Sequence, residues 1–321
     1  MLAPKPPRPV VLPTSIPRRR WGNRVTICIA AFSHQNRSLI AVSDQMLTIG
    51  GRTADDTALK QWWIHGQWCA LYAGDAGIAT TILQDARGQL KEGQPYKARE
   101  VGRVVGDAWA RARIRLAEMK TLSAYGLTLP GFLARGAKQF QSSEYSRLCA
   151  AIEAINPDCD FLVCGFEEDD DGPYPHVLAV QDGIASDHDT MGYWAIGSGA
   201  DLALGALAAR RHNFRCDTAT TLYNLLEARF AAEADPGVGR GGTFAMTWGV
   251  PHIPRRGILS QEVIQAIKYL WIQSRSEPPH GALEILNTVL AIQRGPDPGS
   301  EGRSDPLSPT PDPPSQPPSP E

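Results

Sequence analysis

The chain has 321 residues, 42% of them hydrophobic and 21% charged, which supplies enough apolar material for a sizeable core in one or two domains. A formal charge of −2 leaves no basic field of the kind that nucleic acid or an anionic membrane selects, so neither is expected as a partner. Six scattered cysteines (Cys28, Cys69, Cys149, Cys159, Cys164, Cys216) form no CxxC pair, arguing against a zinc site or a disulfide framework; with no apolar run near the roughly 20 residues of a membrane span and no secretory segment, reduced thiols and a cytoplasmic location are expected.

Residues 1–24 are rich in Pro and Arg, which removes backbone donors and packing groups, so a disordered or extended leader is expected there. From 295 to 321 the chain is mostly Pro, Ser and acid, and a disordered tail is expected. One globular domain, 25–294, lies between. Apolar runs at 25–32 and 38–43 around a polar turn at 34–37 predict a hairpin. A polar stretch leads to a second hairpin, 59–64 and 68–73, turning at His65-Gly66. Helical spacing of Ile78, Ile82 and Leu83, and then of Val101, Val104, Val105, Trp109 and Ile114, predicts helices over 75–90 and 98–122. Residues 123–156, with Gly126, Pro130, Gly131 and a weaker helical pattern over 145–155, read as an inserted, mostly helical excursion. Strands follow at 160–166 and 176–181, joined by an acidic turn over 167–175, and at 193–196. Helices at 201–211 and 218–234, a strand at 243–248 and a helix at 260–275 complete the core. This order predicts an α+β fold, a four-layer αββα sandwich of two antiparallel sheets flanked by helices.

Thr26 by itself is an ordinary β-branched strand residue. Five further features fall along the chain, most of them at set distances from one another. Asp44 closes the second strand in Ala-Val-Ser-Asp, and Lys60 follows it by 16 residues at the start of the next hairpin. Gly74 ends that hairpin, 14 residues further on. Far downstream, Gly197-Ser198-Gly199 opens a helix, and Asp235 lies 37 residues beyond Ser198, ahead of Gly241-Gly242.

This pattern resembles the proteasome β-type subunits, bacterial proteasome-like proteins included, over about residues 25–248. The resemblance implies the N-terminal-nucleophile (Ntn) hydrolase fold and assigns Thr26 as a nucleophile that leads the mature chain, with Asp44 and Lys60 completing the reaction centre. It places the oxyanion-binding amide at Gly74 and gives Ser198 and Asp235 the terminal amine to hold. The family's substrate-pocket positions fall at Leu47, Thr48, Ala58, Trp62, Tyr72 and Ala76; the same residues also read as alternate faces of two core strands. The chemistry is coherent on its own terms. A threonine hydroxyl is a weak nucleophile, and an α-amine with an ordinary pKa of about 8 can take its proton only when Thr26 comes first. A Lys60 ammonium favours the developing alkoxide, and Asp44 keeps that ammonium charged and aimed. An isolated Asp–Lys pair, by contrast, is usually structural.

The sequence departs from the family in four places. Val25 stands where a self-processing Gly or an initiator Met is usual. One hypothesis is that Val25 marks an alternative GTG start read as valine, so that Met removal would expose Thr26 with no propeptide. No serine lies between Asp235 and Gly241-Gly242, and the stretch carries extra residues. Met46 replaces a frequent Arg, and the excursion at 123–156 has no counterpart in compact subunits.

Three functions fit: a threonine-type endopeptidase cutting peptide bonds through an acyl-enzyme, an Ntn amidohydrolase on small amides, and an inactive structural subunit. The resemblance also implies a homo-oligomeric ring. No phosphate-binding loop occurs in the sequence, so any unfolding of protein substrates would fall to a separate ATPase partner. Cys28 is an alternative nucleophile, but its spacing to Asp44 does not fit. The acidic run from Glu167 to Asp171 lacks the alternating ligands of a calcium loop, and the seven histidines are unpaired in sequence, so neither metal nor cofactor is expected.

Overall fold

A computed structural model describes residues 26–294 apart from 34, 36, 50–51, 55–58, 170–171, 250–256 and 274–279. The expectations for the leader, Val25, Ala58 and the tail therefore lie outside the described residues. In chain order the first hairpin is β1 (Ile27–Ser33) and β2 (Ser38–Asp44), followed by a small ribbon of β3 (Leu47–Ile49) and β4 (Arg52–Ala54). The second hairpin, β5 (Gln61–His65) and β6 (Trp68–Gly74), leads into α1 (Ala76–Gln89) and α2 (Ala98–Ala117). The expected helix to 122 does not run through as one α-helix: Glu118–Leu122 is a π-helical turn and Ser123–Tyr125 a 3-10 turn. The excursion then holds α3 (Leu129–Gln139) and α4 (Ser142–Glu153), closed by Leu122, Phe132 and Leu148 around a small core of their own.

The long pair β7 (Cys159–Asp169) and β8 (Gly172–Gln181) follows, then β9 (Ile184–Asp187), β10 (Tyr193–Gly197), α5 (Ala200–Ala209) and α6 (Thr218–Ala232). β11 (Thr243–Gly249), β12 (Gly257–Ile258), α7 (Gln261–Gln273) and α8 (His280–Arg294) complete the described chain. The acidic turn expected over 167–175 is corrected here. β7 and β8 pair out to Glu168↔Pro173 and Asp169↔Gly172, so the acids lie largely within strands. Ladder hydrogen bonds outweigh the low strand propensity of acids on a half-solvated edge.

Two five-stranded antiparallel sheets result, in the orders β10-β1-β2-β11-β12 and β5-β6-β7-β8-β9. Strand alternation builds the layers. On β1, Cys28, Ala30 and Phe32 meet Cys69, Leu71 and Ala73 of β6 between the sheets, whereas Ile27, Ile29 and Ala31 face α5, α6 and α7. On β6, Ala70 and Tyr72 turn outward against α1 and α2. β1 is thus buried on both faces, which explains its unbroken apolar run. The expected αββα sandwich is the observed one. Among the described residues no helix is long and apolar enough to cross a membrane.

Candidate active site

Thr26 sits just ahead of β1, and the β1–β2 register, with Cys28 opposite Ser43, brings it level with Asp44 at the far end of β2. Its Oγ1 donates to Asp44 Oδ1 at 2.8 Å. The same oxygen accepts from the Ile27 amide at 3.0 Å and from Lys60 Nζ at 2.7 Å, and Asp44 Oδ2 accepts from the Gly239 amide at 3.2 Å. Thr26 and Asp44 are wholly buried and Lys60 is 3% exposed. A carboxylate withdrawn from water at this depth is costly unless paired and fully hydrogen-bonded, and here four donors, one of them an ammonium, meet that need. The second sheet presents Lys60: its carbonyl accepts from the Tyr72 amide at 3.1 Å, fastening the lysine to β6.

Gly74 closes β6 with φ +112°, and a Cβ there would lie 1.9 Å from the Asp158 carbonyl oxygen, so only glycine fits. α1 starts directly after it, N-capped by Asp75, whose carboxylate accepts from the Ile78 amide at 2.9 Å. Gly74 therefore lies at the positive end of a helix, where developing negative charge is favoured.

Gly197, Ser198 and Gly199 wrap the Thr26 backbone. The Gly199 amide donates to the Thr26 carbonyl at 3.4 Å, and a Cβ on Gly197 would come within 2.3 Å of that oxygen. Between them, the Ser198 hydroxyl is buried with no hydrogen-bond partner. Asp235 reaches the same spot. A Cβ on Gly237 would fall 2.6 Å from Ser198 Oγ and 2.9 Å from Asp235 Oδ1, and that Asp235 oxygen accepts from the Gly237 amide at 2.7 Å.

The pocket residues divide. Tyr72, Trp62 and Ala76 share the core between the second sheet and α1 and α2, where burial pushes the Tyr72 phenol up to about 12. Leu47 and Thr48 lie on β3, and nothing is described of their side chains. Cys28 is removed as a nucleophile. Its thiol is buried between the sheets and donates to the Tyr72 carbonyl at 3.3 Å, and burial pushes it well up, which the nearby Lys60 only partly offsets.

Side chains of metal-ligating type do gather at His176, Asp187 and Asp189. Both ring nitrogens of His176 face carboxylates, Nδ1 at 2.5 Å from Asp189 and Nε2 at 3.5 Å from Glu167. Glu167 in turn accepts from the Ala98 amide at 2.7 Å, at the start of α2. Asp187 accepts from the Asp189 amide at 2.7 Å, so Asp189 is tied to both His176 and Asp187.

Sequence reasoning missed the Gly239 amide and the side chain that holds its loop, Arg229. Both depend on the path of a glycine-rich segment, which leaves no periodic signal; an arginine in the apolar run of α6 was the one available hint.

No protein-family model matches the chain, and no curated protein matches it. Among solved structures, the Anbu (Gly-1) mutant from Hyphomicrobium sp. strain MC1 aligns over 77% of this chain and 94% of its own, with a TM-score of 0.50 and 15% identity. At that identity the likeness is one of fold, the αββα sandwich of two antiparallel five-stranded sheets between helices.

Proposed function

We propose that the chain is a proteasome-like threonine-type peptidase with Thr26 as its N-terminal nucleophile. The observation that carries this is the buried Thr26–Asp44–Lys60 cluster, set against an unpartnered Ser198 hydroxyl beside Asp235. In the intact chain the Thr26 nitrogen is an amide and has no basicity. Once Thr26 leads, the same atom is an amine, and Ser198 and Asp235 stand ready to orient it.

The amine takes the Oγ1 proton as Oγ1 bonds to the substrate carbonyl carbon. The carbonyl oxygen becomes an oxyanion facing the Gly74 amide and the N-terminal end of α1. As the tetrahedral carbon collapses, the amine passes its proton to the leaving nitrogen, the C–N bond breaks and an ester to Thr26 remains. Water, deprotonated by the same amine, then attacks the ester and frees the acid and the Thr26 hydroxyl. Throughout, Lys60 supplies positive charge near Oγ1, and Asp44 fixes that charge in place.

A ring of copies and a separate ATPase partner belong to the same proposal. To test it, protein whose first residue is verified as Thr26 by intact mass is given fluorogenic peptides and, separately, small acyl amides. Peptide turnover that vanishes in Thr26→Ala is expected. Turnover of small amides alone favours the amidohydrolase, and no turnover of either favours the inactive subunit.

A further inference from the structure

The stretch that lacks the expected serine is Asp235-Pro-Gly-Val-Gly-Arg-Gly-Gly, residues 235–242. It opens on a turn that the Val238 amide closes onto the Asp235 carbonyl at 3.0 Å, and beyond Asp235 it meets the Asp44 end of β2 twice. The Gly239 amide donates to Asp44 Oδ2 at 3.2 Å, and the Gly242 carbonyl accepts from the Gln45 amide at 3.1 Å. Four glycines in eight residues cannot fix such a path by themselves, because each opens conformations that other residues forbid.

Val238 anchors the first half in the core, and the second half is met by Arg229, wholly buried in the last turn of α6. Its Nη2 donates to the Gly239 carbonyl at 2.6 Å and reaches the Gly242 carbonyl at 3.5 Å, and its Nη1 donates to Glu233 at 2.7 Å. Glu233 also accepts from Lys268 Nζ of α7 at 2.8 Å, and Lys268 lies 3.4 Å from the Arg240 carbonyl. We propose that Arg229 is a positioning residue for the Thr26 site: its guanidinium straps the 235–242 loop so that the Gly239 amide stays on the Asp44 carboxylate. A planar, multiply donating cation is suited to bridging two carbonyls and one carboxylate at once, which a lysine ammonium does less well. Its burial is not explained by stability alone, since a buried ionic cluster is often no more stable than apolar packing of the same volume.

The inference rests on the proposed peptidase activity, and its test keeps the two apart. kcat and KM are measured per site titrated with a covalent Thr-directed inhibitor, and deuterium exchange is followed across 235–242, for the parent, Arg229→Met, Arg229→Lys and Glu233→Gln. Arg229→Met is expected to lower kcat per titrated site about 100-fold, the scale of a misplaced catalytic group, with KM within about twofold. Exchange at the Gly239 amide should rise, and Arg229→Lys should recover part of both. Loss of folded fraction alone would leave kcat per titrated site unchanged. If Arg229→Met does not fold, Glu233→Gln decides, with a smaller change in the same direction expected. Parental kcat per site and parental exchange in the folded variants would overturn the strap. A parent without turnover would sink the peptidase proposal, while exchange at Gly239 would still decide whether Arg229 straps the loop.

Discussion

Asp44 Oδ1 accepts from a hydroxyl, an amide and an ammonium, and Oδ2 from a fourth donor, a density of bonding that a structural carboxylate on the surface would not need. The hydroxyl and the ammonium were legible in the sequence, because the spacing of Thr26, Asp44 and Lys60 carries the resemblance that groups them, whereas the Ile27 amide was not, since a backbone donor leaves no mark on residue type. The fourth was not, because a glycine-rich loop has no pattern from which its path can be read. Away from the site, His212 is 5% exposed, and burial holds its imidazole down at about 4 against an ordinary 6.5. The unfolded chain therefore takes up a proton between these values that the folded chain refuses. Stability on this account is full above about pH 6.5 and falls as pH drops toward 4, by on the order of 3 kcal/mol at most. Urea unfolding at pH 7 and pH 4.5 should show the loss, and His212→Leu should reduce it; an undiminished slope would mean that other groups carry it.

At the scale of elements, α2 lies so close to the β8–β9 turn that a Cβ on Gly106 would be 2.4 Å from the Gly183 carbonyl oxygen. Gly183 itself has φ +79°, and the Trp109 indole, one turn on from Gly106, donates to the Cys159 carbonyl at 3.2 Å. Gly106→Val should force the helix outward and cost about 1–3 kcal/mol, a fall of several degrees in Tm with the site itself untouched. A Tm within about a degree of the parent would show that the turn yields freely. Helices with strong apolar spacing, such as α1 and α6, were predicted nearly to their ends. β9 was not, because all four of its residues are exposed and it offers no apolar alternation. α3 was missed behind Pro130 and Gly131, which read as breakers; Thr128 caps the helix and the proline sits in its first turn, where it does no harm. α8 was missed although Ala282, Leu286 and Leu290 recur at helical spacing and are buried against the α6 layer.

For the molecule as a whole, four layers follow from alternation on strands whose two faces are both covered, and that much was legible from the order of elements alone. The layering brings one end of each sheet together: the residue before β1 and the end of β2 supply Thr26 and Asp44, and the residue before β5 supplies Lys60. On the proposed function, Thr26 acts through its hydroxyl and its own free amine together. A peptide epoxyketone tests both, since it closes a ring on the hydroxyl and amine of a terminal threonine, and peptide mapping by mass spectrometry locates the adduct. One adduct per chain is expected, on an N-terminal Thr26, absent in Thr26→Ala. An active preparation that still begins at Met1, or one whose adduct maps to any other residue, would contradict it.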